Sequence, residues 1–281
     1  MSTDVAPAAS ARPDGRAPSA TPAPEDVARL ARALDDAERR AAPIAQPSGD
    51  EPLDLDAAYA VQRALLSRRG ARGERVVGLK LGFTSREKAR QMGVHDVIIG
   101  SLTDAMRIDD GGALAVRGIH PRVEPEVAFL LGPDIADPDA EASSAVVAAA
   151  PALEVIDSRY RDFRFDLGDV IADDASASAF AIGPWRPIAD AGALENRAVV
   201  LEVDGRAVQV GSTAAILGDP VRAVAAARRL ALRHGHELRE GMVLLAGAAT
   251  AAVPLPVRGA VAAEVSGLGR VALRAGEEAT R

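Results

Sequence analysis

Residues 122–131 read RVEPEVAFLL, an apolar run that contains two glutamates separated by one proline. Its Val, Phe and Leu residues predict a β-strand, in which side chains alternate between the two faces of a sheet. Glu124 and Glu126 then project from the same face, where two carboxylates repel each other unless a positive charge lies between them. Pro125 has no N–H to donate, which favours an edge strand or a bulge. The stretch therefore predicts a pair of acids, either on a solvated edge softened by Arg122 or around a hard divalent cation.

Three helices are predicted elsewhere in the chain. Two of them, over 25–41 and 54–69, precede residue 76 and have apolar residues at helical spacing. The third covers 220–234, with Asp219 as its N-cap and Gly235 after its end. The first two predict a helical segment at the N-terminal side of a larger unit.

Strands outnumber helices after residue 76, and they do not alternate regularly with helices. Asp204 and Gly205 lie between two apolar runs, which is typical of a tight β-hairpin. We therefore expect an α+β fold with a large curved mixed sheet, rather than a doubly wound parallel sheet. The further strands are expected over 76–83, 152–159, 198–205, 206–212 and 242–247.

Composition argues against several classes of function. The 281 residues carry a formal net charge of −7 without a basic block, which argues against a nucleic-acid partner. No apolar run reaches transmembrane length. The absence of cysteine excludes disulfides, zinc–thiolate sites and thiol nucleophiles, and it fits a cytoplasmic protein. We expect a disordered Ala/Pro-rich tail over 1–23, a helical segment over 24–75 and a catalytic mixed β domain over 76–281.

A third glutamate strengthens the metal hypothesis. Glu154 lies in the apolar run PALEVIDSRY (151–160), where a buried acid is costly without a partner. Three carboxylates without His or Cys suit Mg²⁺ or Mn²⁺ better than zinc or copper. The alternative is an ion pair between Glu154 and either Arg159 or Arg122.

Two further segments carry polar residues in a pattern that suits a site. Lys80 lies between two glycines in VVGLKLGF (76–83), where a small ligand could approach the backbone beside the ammonium. The alternative is a side chain that simply extends to water. The stretch DDASASAF (173–180) places Ser176 and Ser178 in a segment typical of a substrate-binding loop or of an ordinary tight turn.

Four stretches together resemble the 2-keto-4-pentenoate hydratase family, within the fumarylacetoacetate hydrolase superfamily. The resemblance runs from about residue 25 to the C-terminus, and the stretches occur in the family's order. They are GLKLGFTSREKARQMGV (78–94), IHPRVEPEVAFLLG (119–132), ALEVIDSRYRDFRF (152–165) and IADDASASAFAIG (171–183).

The resemblance implies a fold and a set of site residues. The implied fold is a mixed β-roll, like the C-terminal domain of fumarylacetoacetate hydrolase, with peripheral helices. Glu124, Glu126 and Glu154 are implied to bind Mg²⁺ or Mn²⁺. Lys80 is implied to be catalytic, and Asp96 is a candidate acid or base.

The resemblance also implies an activity. Within the family, the stretches around the glutamates and around Arg159 look most like the branch that decarboxylates 2-oxohex-3-enedioate in the meta-cleavage degradation of aromatic compounds. Arg159 and Arg161 are candidates for holding the distal carboxylate of this 2-oxo dicarboxylate, with Ser176 and Ser178 as further binding residues. The alternatives are a hydratase that adds water to 2-hydroxypenta-2,4-dienoate, and a non-catalytic partner subunit of that hydratase. A homo-oligomer and a complex with the hydratase are the expected assemblies.

Two departures from the family pattern bear on these expectations. Asp174 stands where the family usually has Asn, which questions any hydrogen bond that the Asn donates. The hydrolase branch usually has Gly-Thr-Pro in a late strand and Asp as its third ligand. This chain has AGAAT (246–250) and Glu154 there, which weighs against C–C bond hydrolysis.

Overall fold

The computed structural model describes residues 23–46, 52–85, 96–114, 118–137, 141–142 and 144–276. The tail expected over 1–23 therefore lies almost entirely outside the described residues. No described helix is long and apolar enough to cross a membrane. The helices are α1 (Pro24–Arg40), α2 (Leu55–Gly70), α3 (Leu167–Ala172), α4 (Ile188–Ala191) and α5 (Arg222–His234).

A nine-stranded mixed sheet forms the centre of the molecule. Its strands are β1 (Val76–Gly82), β2 (Ile98–Thr103), β3 (Arg107–Ile108), β5 (Arg122–Leu131), β6 (Val146–Ile156), β7 (Ala177–Ile182), β8 (Arg186–Pro187), β11 (Val243–Ala248) and β12 (Val253–Pro254). The main path is β2-β1-β11-β5-β6-β7-β3, with β12 beside β5 and β8 beside β6. Most neighbouring strands are antiparallel, whereas β1 runs parallel to β11 and β3 runs parallel to β7.

A second sheet packs on the outside of the first. Its order is β10-β9-β13-β14-β4. Apolar side chains of β5, β6 and β7 meet those of β9, β13 and β14 between the two sheets. The strands are β4 (Ala113–Leu114), β9 (Ala198–Val203), β10 (Arg206–Ser212), β13 (Gly259–Val265) and β14 (Gly269–Ala275).

The large sheet curls so that it partly encloses its own inner face. One apolar cluster is built from β2, β5, β6, β7 and β11 of this single sheet, including Leu102, Phe180 and Leu245. Strands β2 and β7, which are far apart in the strand order, also contact each other. Because a flat sheet could not bring these strands together, the fold is the α+β mixed β-roll that the sequence predicts.

Of the edge strand and the bulge that are the alternatives at Pro125, the edge strand is wrong. Strand β5 pairs with β6 on one side and with β11 and β12 on the other. The pairing with β11 is irregular between Leu245 and Ala248, and Pro125 lies beside this irregularity, where its carbonyl accepts from Ala249 N at 2.9 Å. A residue in an antiparallel strand directs its N and its C=O towards the same neighbouring strand. The Pro125 ring therefore faces the irregularity beside β11, where the ladder needs no N–H from this residue.

The structure corrects the prediction for 173–180. Residues Asp174–Ser176 form a short 3₁₀ turn, but Ala177–Ile182 is strand β7 rather than a loop. Alanines hide such strands from propensity, because alanine is depleted in sheets and is held there by its neighbours. The same reason explains why β6 begins at Val146, in the run VVAAAPALEVI, instead of at 152.

The other predicted elements are close to the observed ones. Helices α1 and α2 each differ from prediction by one residue per end, and α5 begins at Arg222 instead of at residue 220. Asp219 still accepts from Val221 N, and Gly235 ends α5 with a φ of 76°. The hairpin turn at Asp204 and Gly205 has φ of 50° and 73°, the left-handed pair that a two-residue hairpin favours.

The N-terminal helices pack onto the β-roll rather than standing apart. Leu30, Leu34 and Leu65 of α1 and α2 form an apolar cluster with Tyr160 and Ala172. This contact places the helical segment next to the turn at Asp174–Ser176, which becomes important for the site.

Candidate metal centre

Three glutamates converge on one face of the large sheet. Glu124 of β5 lies directly opposite Glu154 of β6, and Glu126 lies two residues further along β5. All three are buried, with exposures of 6%, 0% and 0% for Glu124, Glu126 and Glu154. One carboxylate oxygen from each lies within 4.8 Å of the others. Alternation along β5 and antiparallel register with β6 therefore produce the predicted cluster.

The cluster has more acceptors than donors. Gly247 N donates to Glu126 Oε2 at 2.8 Å, but Glu126 Oε1 and Glu154 Oε1 are buried without a hydrogen-bond partner among the described residues. Burial, followed by the charges of Glu154 and Glu124, raises the pKa of Glu126 well above its usual value. Burial is also the largest cause of the raised pKa of Glu154, whereas the charge of Lys80 lowers that pKa. Buried carboxylate oxygens that lack donors fit a hard divalent cation, which prefers such ligands.

Lys80 supplies the positive charge beside the glutamates. Its Nζ lies 3.1 Å from Glu154 Oε2 and donates to the Ala175 carbonyl at 3.2 Å. Burial alone lowers the pKa of Lys80, but Glu154, Glu124 and Glu126 raise it above its usual value. The side chain is 3% exposed, so the alternative of an extension to water is wrong, and Glu154 pairs with Lys80 instead of an arginine.

The glycines beside Lys80 do not open the backbone to a ligand as expected. A Cβ at Gly78 would lie 2.5 Å from the Val243 carbonyl oxygen, and one at Gly82 would lie 2.9 Å from Ile98. Both glycines therefore serve close packing of strands. The glycine that matters is Gly100, opposite Lys80, where a Cβ would lie 2.8 Å from Asp174 O and 3.1 Å from Lys80 Cδ.

Arg159 is not available to hold a substrate, which corrects the expectation for this residue. It is 1% exposed, and its Nε donates to Asp173 Oδ1 at 2.5 Å. Its Nη1 donates to the carbonyls of Asp157 and Ala177 at 2.9 Å each, and its Nη2 to the Asp173 carbonyl at 2.7 Å. A guanidinium with partners on all three nitrogens anchors the chain.

The described structure does not link Ser176 or Ser178, which are predicted to bind substrate, to the glutamate cluster. The Ser176 hydroxyl donates to Asp173 Oδ2 at 3.4 Å, so it belongs to the buried arginine network. Ser178 is half-buried in β7. None of the hydrogen bonds of the described residues links either hydroxyl to the glutamates.

Asp96 and Arg161 are not brought to the cluster in the described part of the chain. Asp96 is half exposed and makes two hydrogen bonds of 2.7 Å with Arg229. Burial raises the pKa of Asp96, but the hydrogen bonds from Arg229 and Val97 N outweigh burial and hold this pKa below its usual value. Arg161 is exposed at the start of a 3₁₀ turn.

Asp174, which stands where the family usually has Asn, forms an ion pair with Arg69. Its Oδ2 accepts from Arg69 Nη1 at 2.8 Å, and its Oδ1 accepts from Ser101 N at 2.8 Å. Arg69 also donates to Glu38 of α1, at 2.8 and 3.1 Å. This network supports the turn whose Ala175 carbonyl holds Lys80, although the turn has positive φ at three successive residues, 53°, 50° and 59°.

A cavity of about 460 Å³ opens at the start of β5, where Arg122 precedes the two glutamates of that strand. The aromatic residue there, Phe163, had no role predicted from the sequence. Arg122 Cζ lies 4.7 Å from the centre of the Phe163 ring, and His120 packs against the same ring at 4.4 Å between centres. The cavity is lined by His120, Pro121, Arg122, Asp162, Phe163, Pro254 and Leu255.

Comparison with known proteins identifies the family. The model of the fumarylacetoacetate (FAA) hydrolase C-terminal family matches residues 84–275. A 4-oxalocrotonate decarboxylase of a Pseudomonas species is 48% identical over 247 residues, covering 86% of this chain and 95% of the relative. A 2-keto-4-pentenoate hydratase of Burkholderia vietnamiensis is 36% identical over 254 residues, covering 87% and 95%.

A solved structure agrees with these matches. It is the 4-oxalocrotonate decarboxylase from Pseudomonas putida G7 complexed with magnesium and adipate, with a TM-score of 0.84 and 34% identity. The match covers 90% of this chain and 98% of that one. Both kinds of relative, decarboxylase and hydratase, are lyases. The chain therefore belongs to the fumarylacetoacetate hydrolase family and is one of its lyases.

Proposed function

We propose that this chain catalyses the metal-dependent decarboxylation of 2-oxohex-3-enedioate, also called 4-oxalocrotonate, to 2-hydroxypenta-2,4-dienoate and CO₂. The observation that carries the proposal is the buried glutamate cluster with Lys80 beside it, in a chain that is 48% identical to a 4-oxalocrotonate decarboxylase. A second decarboxylase of this name, from Pseudomonas putida, is 34% identical over 89% of this chain.

Glu124, Glu126 and Glu154 are proposed to hold Mg²⁺ or Mn²⁺. When bound, such an ion supplies positive charge that stabilises negative charge on the substrate's 1-carboxylate and 2-keto oxygens. The P. putida G7 decarboxylase contains magnesium in one structure and calcium in another. The donor set here, carboxylate oxygens alone, suits these hard ions.

The chemistry follows from the conjugation of the substrate. The bond between C5 and C6 breaks, and C6 leaves as CO₂. The electron pair of the broken C5–C6 bond forms C4=C5. The pair of the former C3=C4 double bond forms C2=C3, and negative charge develops on the C2 oxygen. Lys80 Nζ, already charged and fixed by Ala175 O, is proposed to donate a hydrogen bond to that oxygen. A proton from solvent water then adds to the same oxygen and completes the enol.

The remaining predicted residues contribute differently to this proposal. Asp96 has no part in it, because its carboxylate is paired with Arg229. Arg159 and Ser176 stabilise the wall of the site through Asp173. Roles in substrate binding for Arg161 and Ser178 stay predictions.

The second candidate is hydration of 2-hydroxypenta-2,4-dienoate, because a hydratase is 36% identical over 87% of this chain. The third is a non-catalytic partner of such a hydratase. Purified protein with Mg²⁺ is incubated with 2-oxohex-3-enedioate while CO₂ is measured, and separately with the dienoate while water addition is measured. CO₂ release supports the proposal. Water addition without CO₂ favours the hydratase, and neither activity favours the partner.

The metal assignment is tested by Glu124→Gln, with Glu237→Gln as a matched control. Glu237 is a surface residue whose side chain is 65% exposed and pairs with Arg239. We expect Glu124→Gln to abolish Mg²⁺-dependent turnover with an unchanged circular dichroism spectrum, and Glu237→Gln to behave like the wild type. Full activity of Glu124→Gln would remove the metal-site assignment.

Two assemblies are part of the proposal: a homo-oligomer and a complex with the hydratase of the same reaction sequence. The product of decarboxylation is the hydratase substrate, so direct transfer would protect a reactive dienol. Sedimentation analysis of the chain alone, and then mixed with such a hydratase, tests both. The monomer mass for the chain alone would contradict the homo-oligomer, and unchanged sedimentation of both proteins in the mixture would contradict the complex.

A further inference from the structure

We propose that Arg122, oriented by Phe163, binds the distal carboxylate of the substrate and so selects 2-oxo dicarboxylates over 2-oxo monocarboxylates. The inference rests on the proposed function, since it takes the glutamate cluster as the place where the 2-oxo acid end is bound. It also replaces the arginines that the sequence suggested for this task.

Strand geometry places Arg122 on the correct side of the sheet. Strand β5 pairs with β6 without a register shift from Arg122 to Leu130, so Arg122, Glu124 and Glu126 project from the same face. Two residues along a strand advance roughly 6.6 Å. The four bonds from C2 to C6 of the substrate span about 5 Å in an extended chain. A substrate with its keto acid at the glutamates is therefore long enough to bring its distal carboxylate to Arg122.

The Arg122 side chain is already oriented for a ligand. Its guanidinium carbon lies 4.7 Å from the centre of the Phe163 ring, within cation–π distance. Phe163 packs in turn on His120, whose Nε2 is 2.8 Å from the Ser158 carbonyl and whose backbone N donates to Asp157 Oδ1 at 2.8 Å. A planar guanidinium held by one face leaves its edge free to bind a carboxylate through two N–H groups.

The surrounding charges also favour Arg122. No described carboxylate lies within ion-pair distance of its guanidinium, and it faces a cavity of about 460 Å³. Arg159, by contrast, has partners on all its nitrogens. Asp162 lines the same cavity and weakens the positive field. A carboxylate that must leave as CO₂ is better held by a solvated cation than by a buried one, because strong charge neutralisation would stabilise the ground state.

Binding of two unreactive ligands tests the inference. 2-Oxoadipate has both carboxylates, and 2-oxohexanoate has the same chain without the distal one; neither has the C3=C4 bond. Calorimetric titration with Mg²⁺ present gives the ratio of their dissociation constants for the wild type, Arg122→Gln and Arg122→Lys. Arg206→Gln is the matched control, an exposed arginine of β10 that lies outside the residues lining the cavity.

We expect the wild type to bind 2-oxoadipate about tenfold more tightly than 2-oxohexanoate, as a charge-assisted hydrogen bond allows. In Arg122→Gln the ratio falls to about one while 2-oxohexanoate affinity stays the same, which also shows that the variant is folded. Arg122→Lys keeps part of the preference, and Arg206→Gln keeps all of it. An unchanged ratio in Arg122→Gln, or an equal loss for both ligands, overturns the inference. Absence of Mg²⁺-dependent binding of either ligand to the wild type would instead overturn the proposed function.

Discussion

Two groups of buried charges lie side by side in this fold, and they differ in how their charges are matched. In the glutamate cluster, Glu124, Glu126 and Glu154 have Lys80 as the cation beside them. In the arginine network, Arg159 pairs with Asp173, and Arg69 pairs with Asp174 and Glu38. Apart from Glu38, whose side chain is 31% exposed, burial is nearly complete in both groups. The difference is that carboxylate oxygens of Glu126 and Glu154 lack donors among the described residues, and this lack, rather than burial of charge, favours the glutamate cluster as the site proposed to bind a cation.

The hydrogen bonds of the two groups show the same contrast. Each nitrogen of Arg159 donates to an oxygen, and both oxygens of Asp174 accept. Glu126 Oε1 and Glu154 Oε1, by contrast, lack donors among the described residues. A network whose groups are satisfied stabilises the fold only as long as it stays complete. A group that is not satisfied has capacity for a ligand.

The largest expected effect comes from neutralising one acid of the glutamate cluster. We expect Glu126→Gln to lower Mg²⁺-dependent turnover by about 10²–10³-fold, because one of the three carboxylates proposed to bind Mg²⁺ is lost. The same change should raise the free energy of unfolding of the metal-free protein, because it relieves repulsion with Glu154 and Glu124. Turnover and urea unfolding in EDTA measure the two effects. A loss of metal-free stability would show that the cluster is matched like the arginine network.

The second effect comes from breaking the arginine network. Arg159→Met leaves Asp173 buried without its partner, so we expect unfolding to become easier by about 3–5 kcal/mol. Arg161→Met is the matched control, since Arg161 is two residues away and exposed. Urea unfolding of both variants measures the difference. Equal stability of the two would mean that Arg159 is not a structural residue.

A smaller effect is expected from Asp174→Asn, which introduces the residue that the family usually has. Its amide nitrogen or oxygen must face Arg69, so one hydrogen bond is lost and unfolding should become easier by about 1–3 kcal/mol. Arg69 keeps Glu38 as a partner, which limits the loss. Asp104→Asn serves as control at an exposed ion pair with Arg75, where little change is expected. A stabilising effect of Asp174→Asn would show that the charge of Asp174 is a burden.

The smallest effect concerns His236, a half-buried base outside both groups. Burial, with help from His234 and Arg63, lowers the pKa of His236 to about 4 from its usual 6.5. The unfolded chain then binds a proton at a higher pH than the folded chain does, so stability is lost as pH falls from 6.5 towards 4. Between pH 7.5 and pH 5, the stability of the wild type relative to His236→Gln should fall by roughly 1 kcal/mol after solvent screening. Urea unfolding at both pH values checks this, and a constant difference would contradict it.

The sequence predicted the glutamate cluster because local alternation is enough to place Glu124 beside Glu126. Strand β5 has the predicted bounds, Arg122–Leu131, since its large apolar residues give a clear signal. The arginine network could not be predicted in this way. Arg69 and Asp174 are 105 residues apart, and no local pattern indicates which acid an arginine pairs with. Arg159 was misassigned for this reason, and the alanine-rich strands β6 and β7 were misplaced because their stability comes from neighbours.

Pro125 has a consequence for how this protein can be observed. Because the sheet is irregular beside the proline, the amide of Gly247 is directed to Glu126 Oε2 at 2.8 Å rather than to a neighbouring strand. Thr84 occupies the place where a Cβ at residue 247 would lie, and the φ of 116° suits glycine alone. The Gly247 amide resonance is thus a magnetic-resonance reporter built into the main chain. We expect its chemical shift to follow the charge on the Glu126 carboxylate, so that a titration can be read without any label attached to the site.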